Sequence, residues 1–217
     1  DHYELTGTKI INASSSTIEF TNNNSSISVT NIPSTTIGSL TNNVSASGSL
    51  NILDNIVISE TLTMQSGNIN TYSNTISIGA STSNIGTLDY QNGYIDGILK
   101  RWFTGTNSGS SSGLYPLSNN GTQKRFVTVE YTEATDGGSI KAEWVNSSMG
   151  YNLGNDTIST NCNGSFLIAD TDNGYWEMTP NDGITTSENK LYNITLDAES
   201  VLSVTDDCHV TALKRVG

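Results

Sequence analysis

Oxygen-bearing side chains that could bind a cation are concentrated in the stretch ADTDNGYW. Asp170, Asp172 and Asn173 offer three oxygen ligands directly before Gly174, and closely spaced ligands of this kind are typical of calcium loops. The bidentate glutamate that completes an EF-hand loop does not occur at the expected spacing. The same residue types favour a β-turn between two strands. The sequence therefore leaves a Ca²⁺ site and a plain turn as alternatives, and it suggests no other cofactor.

Aromatic side chains that could stack on sugar rings occur at Tyr151, Tyr175 and Trp176. An exposed ring offers a flat apolar face for a glycan, whereas a buried ring fills a core. A small β-sandwich needs large side chains inside it, so a core position for Trp176 is the alternative to a glycan platform.

The sequence does not predict a catalytic cluster. His2 lies at the start of the chain and His209 follows Cys208 in a strand-like run, so neither forms a nucleophilic triad with the many serines. Glycosidases need paired carboxylates on one face. The acidic residues in the repeats described below do not occupy corresponding positions in successive repeats; they are Glu19, Asp54, Glu60, Asp89 and Asp96. We therefore expect no enzymatic activity.

The two cysteines, Cys162 and Cys208, are 46 positions apart, too far for a CxxC metal or redox motif. In an exported chain they predict a disulfide, which would stabilise the fold by about 3 to 4 kcal/mol in the chain-entropy model. Two unrelated buried thiols are the alternative.

Composition favours an all-β fold. Of the 217 residues, 34% are hydrophobic and 14% charged, and most of the remainder are Ser, Thr, Asn and Gly, which favour turns and strands over helices. The formal net charge of -12 repels nucleic acid and anionic lipid surfaces. No stretch approaches the ~20 apolar residues of a membrane span. The chain begins at Asp1 without a signal sequence, which indicates a mature or excised piece.

Residues 1–99 contain a repeat of about 19 positions. Apolar residues often occupy positions i and i+2 within it, as on the inward side of a short strand. One column of isoleucines has intervals of 19, 19, 20 and 19; it contains Ile18, Ile37, Ile56, Ile76 and Ile95. Two further columns are Leu50, Ile69, Leu88 and Ile32, Ile52, Thr71, Tyr90. The pattern predicts a short parallel β-helix with coils stacked about 4.8 Å apart; an antiparallel sandwich is the alternative.

An outward column of hydroxyl groups could order water if a second such column lay beside it. The positions before the isoleucines are Thr17, Thr36, Asn55, Thr75 and Tyr94. The neighbouring outward positions are Glu19, Gly38, Val57, Ser77 and Asp96. Since these form no second threonine column, we predict an ordinary solvated β surface.

Residues 100–217 differ in composition, with all three tryptophans and both cysteines. Val127, Val129 and Tyr131 alternate with polar residues, and Ile140 and Trp144 resume the alternation after an Asp-Gly-Gly turn, which predicts a β-hairpin. Further strand-like runs over about 110 residues indicate an antiparallel β-sandwich.

Several stretches resemble a recurring module of large secreted surface proteins of Bacteroidota type. They are NGYIDGILKRWFTG, GLYPLSNNGTQKRFVTVEY, GYWEMTP, NITLDA and ALKR, in this order over residues 50–217. In such modules a Phe-Pro stretch precedes an Arg-Pro-Val-Thr-Val stretch. Tyr115-Pro116-Leu117 and Arg125-Phe126-Val127-Thr128-Val129 stand in their places here, with Phe126 replacing the usual proline.

The resemblance implies an exported, extracellular or cell-surface protein that depends on type IX secretion, with adhesion and gliding as the roles usually suggested for the group. It also implies O-glycosylation at Asp-Ser/Thr before an apolar residue, which Thr157 matches. We therefore predict a non-catalytic structural or adhesive module whose partners are extracellular glycans or surface proteins. A carbohydrate-binding module and a subunit of a self-assembling filament, which would be its own partner, are the alternatives.

Overall fold

The computed structural model describes residues 15–22, 27–29, 36–105, 111–131, 137–147, 157–160, 164–167, 174–184 and 192–198. In this part of the chain the secondary structure is all-β, without a helix. Its strands are β1 Thr17–Asn22, β2 Ile27–Val29, β3 Thr36–Val44, β4 Ser49–Ile52, β5 Ile56–Ser66, β6 Asn68–Ile78, β7 Thr87–Tyr90, β8 Ile95–Phe103, β9 Ser111–Asn119, β10 Gln123–Tyr131, β11 Gly138–Val145, β12 Thr157–Thr160, β13 Gly164–Leu167, β14 Tyr175–Asn181 and β15 Tyr192–Ala198.

Strands β1 to β8 form a parallel β-solenoid of about four turns, which confirms the predicted β-helix. Successive turns pair through three ladders of parallel strands. Ladder A contains β1, the later parts of β3 and β5, and β7. Ladder B contains β2, β4 and the first parts of β6 and β8. Ladder C contains the first parts of β3 and β5 and the last parts of β6 and β8.

The interior of the solenoid consists of aliphatic side chains stacked from turn to turn. Fully buried paired residues are Leu40 with Leu62 in ladder A, Leu50 with Ile69 in ladder B and Ile56 with Ile76 in ladder C. Burying one such side chain contributes about 1.5 to 3 kcal/mol. Because each turn supplies only a few of them, a turn depends on its neighbours for a core.

The predicted register of the isoleucine column is wrong. Ile56 and Ile76 do pair, but Ile37 pairs with Ile58 and Ile95 with Ile69. The offset between paired residues is 19 from Leu50 to Ile69, 22 from Leu40 to Leu62 and 26 from Leu62 to Leu88. The corners between ladders differ in length, so no single period describes the coils.

A buried amide and a glycine fix the corner between ladders A and B. The Asn42 side chain is fully buried, and its Nδ2 donates a hydrogen bond to the carbonyl oxygen of Gly67 at 3.1 Å. Gly67 has a φ of 75°, and a β-carbon there would overlap the Val44 side chain. Glycine is the residue that adopts this conformation without a steric penalty.

Beyond the solenoid the described strands are antiparallel. β9 and β15 flank β10, while β11 lies between β8 and β14. The strand β8 belongs to both parts of the sheet, since it pairs in parallel with β6 and antiparallel with β11. A single parallel bridge from Ile95 to Leu117 also joins β8 to β9. The strands β12 and β13 pair with each other in a separate sheet.

The predicted hairpin between the strand of Val127 and the strand of Ile140 is wrong. These residues lie in β10 and β11, which pair with other strands. Alternation identified the inward side chains of both strands correctly, but it carries no information about the partner. The sandwich and the division of the chain at residue 99 stay predictions; β8 crosses that position.

Aromatic side chains join the antiparallel strands to the last coil of the solenoid. Phe126 packs edge to face against Tyr90 and Tyr94, with ring centroids 5.4 and 6.0 Å away. The core continues without a break from Ile37 in the solenoid to Ile184 beyond β14. The antiparallel part therefore caps the C-terminal end of the solenoid.

Candidate functional site

Most site residues predicted from the sequence lie outside the described residues. These are Asp170, Asp172, Asn173, Tyr151, Cys162 and Cys208. Thr157 is the first residue of β12, where its backbone pairs with Leu167. Within the described residues, no group of three or more His, Cys, Asp or Glu side chains is placed to hold a metal ion.

Trp176 belongs to an aromatic cluster between β10, β11 and β14. Its Nε1 donates a hydrogen bond to the carbonyl oxygen of Arg125 at 3.0 Å. Its ring packs edge to face on Trp144, with centroids 4.8 Å apart, and the Arg125 guanidinium lies 4.7 Å from the Trp144 ring centroid. These contacts hold Trp176 against the core. Tyr175, which precedes Trp176 in β14, is half-buried, and a glycan-binding role for these rings stays a prediction.

The outward side of ladder A carries two adjacent columns of short polar side chains, which we call the hydroxyl grid. Each strand of the ladder contributes residues i and i+2 to it, while the residue between them points into the core. The first column is Thr17, Ser39, Thr61 and Thr87. The second column is Glu19, Thr41, Thr63 and Asp89. All eight side chains are exposed or half-exposed.

The spacing of the grid follows from sheet geometry. Neighbouring strands of a sheet lie about 4.8 Å apart, and positions i and i+2 of a parallel strand lie about 6.6 Å apart. Threonine is stiff at χ1 because its Cβ is branched, so its hydroxyl and methyl groups occupy few positions. The middle two rows, Ser39 with Thr41 and Thr61 with Thr63, contain no charged side chain, and the acids of the second column lie in the outermost rows.

The backbone beneath the grid is held by core packing and by polar contacts at its edge. Leu40, Leu62 and Met64 are fully buried directly under the middle rows. At the corner leading into ladder A, the Ser59 hydroxyl donates to the carbonyl oxygen of Ile37 at 3.1 Å. The Ser39 hydroxyl lies 3.4 Å from a Glu60 carboxylate oxygen. The grid thus rests on a support with little room for rearrangement.

The second column of the grid, with Thr41 and Thr63 at its centre, could not be found with one period for every ladder. A 19-residue period aligns Thr17 with Thr36, whereas the structure aligns Thr17 with Ser39. The pairs Ser39-x-Thr41 and Thr61-x-Thr63 were visible in the sequence. Aligning these two pairs gives an offset of 22 residues, which is the offset that the structure shows.

Ladder B has a different polar surface, built from amides. Asn70 donates through Nδ2 to Oδ1 of Asn51 at 2.9 Å, and Asp96 follows in the same column. Burial raises the pKa of the Asp96 carboxyl above its usual value. The amide groups of Asn51 and Asn70 hydrogen-bond to each other, which leaves fewer of their hydrogen-bonding positions for a bound partner.

The outward side of β8, β11 and β14, with the turn after β14, holds one group of charged side chains of the antiparallel part. Lys100 Nζ lies 2.6 Å from Asp182 Oδ2, and the Ser139 hydroxyl donates to the same carboxylate at 2.5 Å. These hydrogen bonds lower the pKa of Asp182. Glu143 lies directly opposite Glu177, and burial, followed by repulsion from Glu177, raises the pKa of Glu143.

Comparison with protein-family models, with curated proteins and with solved structures gave no match to this chain. No helix of a length and apolarity suited to crossing a membrane occurs in the described ranges.

Proposed function

We propose that this chain is a non-catalytic structural and adhesive module of an extracellular surface protein. In this role the solenoid is a stiff spacer, and the antiparallel strands of residues 100–217 close into a sandwich that caps it. The observation that carries the proposal is the position of β8, which is hydrogen-bonded to the solenoid through β6 and to the antiparallel part through β11.

A shared strand and an unbroken core resist bending at the junction. Phe103 at the end of β8 is buried and packs against Tyr131 of β10, with ring centroids 5.3 Å apart. Two domains joined only by a linker would move relative to each other. Here a relative movement would have to break both sheet hydrogen bonds and core packing, so the module transmits force along its length.

Single-molecule stretching of the whole chain tests the spacer role. Because β8 is common to both parts, we expect the solenoid and the antiparallel strands to unfold in one cooperative step. Two separate unfolding events, with a compliant intermediate, would contradict the proposal. Labelling of intact producing cells with antibodies against the chain tests surface exposure, and labelling only after permeabilisation would argue against it.

One observation favours self-association as a second candidate function. Ile194 and Leu196 of β15 are 45% and 36% exposed, although they lie opposite Val129 and Val127, which are buried. In the described part of the chain β15 pairs with β10 alone. An edge strand with exposed apolar residues is a site where a second chain can add.

Light scattering after size-exclusion chromatography tests this second function. Self-association predicts a mass that rises with protein concentration, and Leu196→Lys should return the chain to a monomer. The matched variant Thr195→Lys, on the other side of the same strand, should leave association unchanged. A monomer at all concentrations removes the candidate.

A further inference from the structure

We infer that the hydroxyl grid of ladder A binds ice, with its two middle rows as the centre of the binding surface. The inference goes beyond the spacer role and does not depend on it. It rests on the register of β1, β3, β5 and β7, which places two columns of mostly short polar side chains side by side on the outward side of one parallel ladder.

The shape of the grid suits an extended, repeating partner. Sites for small molecules are concave and surround most of the ligand, whereas the side chains of the grid lie exposed or half-exposed on the outward side of the ladder. The grid repeats in two directions, at about 4.8 and 6.6 Å. A surface of this kind gains affinity only from a partner that also repeats in two directions, such as the face of a crystal.

The stiffness of the threonine side chains in the grid also lowers the entropic cost of binding. Rigid groups lose little conformational freedom when they are immobilised, and threonine has few χ1 rotamers on a strand. Each threonine offers one hydroxyl, which both donates and accepts a hydrogen bond, next to a methyl group. Water molecules can therefore be held in register between Thr41 and Thr63 without any rearrangement of the protein.

Charge and chemistry favour ice over other repeating surfaces. The chain carries a formal charge of -12, yet the four side chains of the middle rows are neutral, which matches a neutral partner. The Glu60 carboxylate lies at the edge of these rows, beside the Ser39 hydroxyl. A polysaccharide surface is also neutral, but its recognition relies on aromatic rings stacked on sugars. No position of the grid is aromatic. Glu19 and Asp89 mark the two ends of the neutral region.

Slow freezing of a solution of the whole chain tests the inference. A protein that binds ice is enriched in the growing crystal, whereas other proteins are excluded from it. We expect the wild-type chain to be enriched relative to albumin and to slow recrystallisation of fine-grained ice. The variant Thr63→Tyr should lose both effects, because one large ring lifts the surface off the lattice. Thr179→Tyr, the same change on the exposed outward side of β14, should lose neither.

Circular dichroism and thermal melting establish that each variant is folded, and Thr41→Tyr replaces Thr63→Tyr if the latter does not fold. The variant Asp89→Thr, which lengthens the neutral region by one row, should strengthen ice enrichment. The inference is overturned if wild-type protein is excluded from ice like albumin, or if Thr63→Tyr and Thr179→Tyr behave alike. Binding to crystalline cellulose or chitin that is lost in Thr63→Tyr, without enrichment in ice, would assign the grid to a polysaccharide instead.

Discussion

A β-carbon on Gly93 would overlap the carbonyl oxygen of Gly67, one turn away at the corner between ladders A and B. Both glycines have a positive φ, 90° and 75°. The same carbonyl oxygen accepts the hydrogen bond from the buried amide of Asn42. The corner thus stacks glycine on glycine, and the close approach of the two backbones lets adjacent turns remain in hydrogen-bonding contact.

Substitution of Gly93 by alanine should therefore destabilise the fold in two ways. Alanine at a positive φ costs about 1 to 3 kcal/mol by itself, and the overlap with Gly67 adds to that cost. Gly183 is a matched control, since it has a φ of 88° and a β-carbon added there would have no atom within 4 Å. We expect Gly93→Ala to lower the free energy of unfolding in urea by more than Gly183→Ala. Equal losses would show that the corner tolerates a side chain.

The stacked core predicts that substitutions at two adjacent positions of β5 have very different effects on stability. Leu62 is fully buried between Leu40 and Leu88 in ladder A, so Leu62→Ala should cost about 2 to 5 kcal/mol. Thr63 points outward, and Thr63→Ala should change stability by no more than about 0.5 kcal/mol. Denaturant unfolding of both variants measures the difference. A comparable loss in both would mean that β5 is not oriented as described.

The solenoid was predictable from the sequence because apolar residues recur at similar intervals along it. Alternating apolar residues identified inward positions, and Leu50 with Ile69 and Ile56 with Ile76 were aligned correctly. The exact stacking was not predictable from one period, because residues 79–86 lengthen one corner and a register shift between Ile37 and Ser39 changes the offset at another. The type of a side chain predicts whether it is buried, whereas the lengths of the corners determine which residues of successive turns pair.

Which antiparallel strands pair with each other was harder to predict from the sequence. In β10 and β11, apolar and polar residues alternate as in the two strands of a hairpin, yet β11 pairs with β8 instead of β10. Such a pairing depends on contacts between residues distant in sequence, for example the Tyr115 hydroxyl and the carbonyl oxygen of Ile140. The hydroxyl grid was missed for a similar reason, since Thr41 and Thr63 are neighbours only in the correct register.

The hydrogen bond from Tyr115 to the carbonyl oxygen of Ile140, 3.1 Å long, links β9 to β11 inside the core. Removing the hydroxyl with Tyr115→Phe leaves the carbonyl oxygen without this buried donor and should cost about 1 kcal/mol. Tyr72 is 59% exposed, so Tyr72→Phe should have almost no effect. Burial also raises the pKa of Tyr115, and we expect its phenol to resist alkaline titration until the protein unfolds, as ultraviolet absorbance would show. Early titration of Tyr115 would contradict its buried position.

The carboxyl groups of Glu143 and Asp182 should change the stability of the fold in opposite directions as the pH rises. Burial, and then repulsion from Glu177, raises the pKa of Glu143 above its ordinary value of 4.5. The folded state therefore binds this proton more tightly than the unfolded state, so stability falls as pH rises from about 4.5 through the raised pKa. Replacing the carboxylate in Glu143→Gln should raise the melting temperature at neutral pH. The gain should disappear once the medium is more acidic than the ordinary pKa of glutamate.

Asp182 has the reverse sign because hydrogen bonds from Lys100 and Ser139 lower its pKa below the ordinary value of 3.8. Its contribution to stability is present above that value and is lost as pH falls through the lowered pKa. Asp182→Asn should thus lower the melting temperature at neutral pH, with a difference from wild type that shrinks in acid. Since the Asp182 side chain is 37% exposed, added salt should weaken the effect. Melting curves of both variants across the acidic range provide the measurement, and shifts of the same sign in the two variants would refute the assignment.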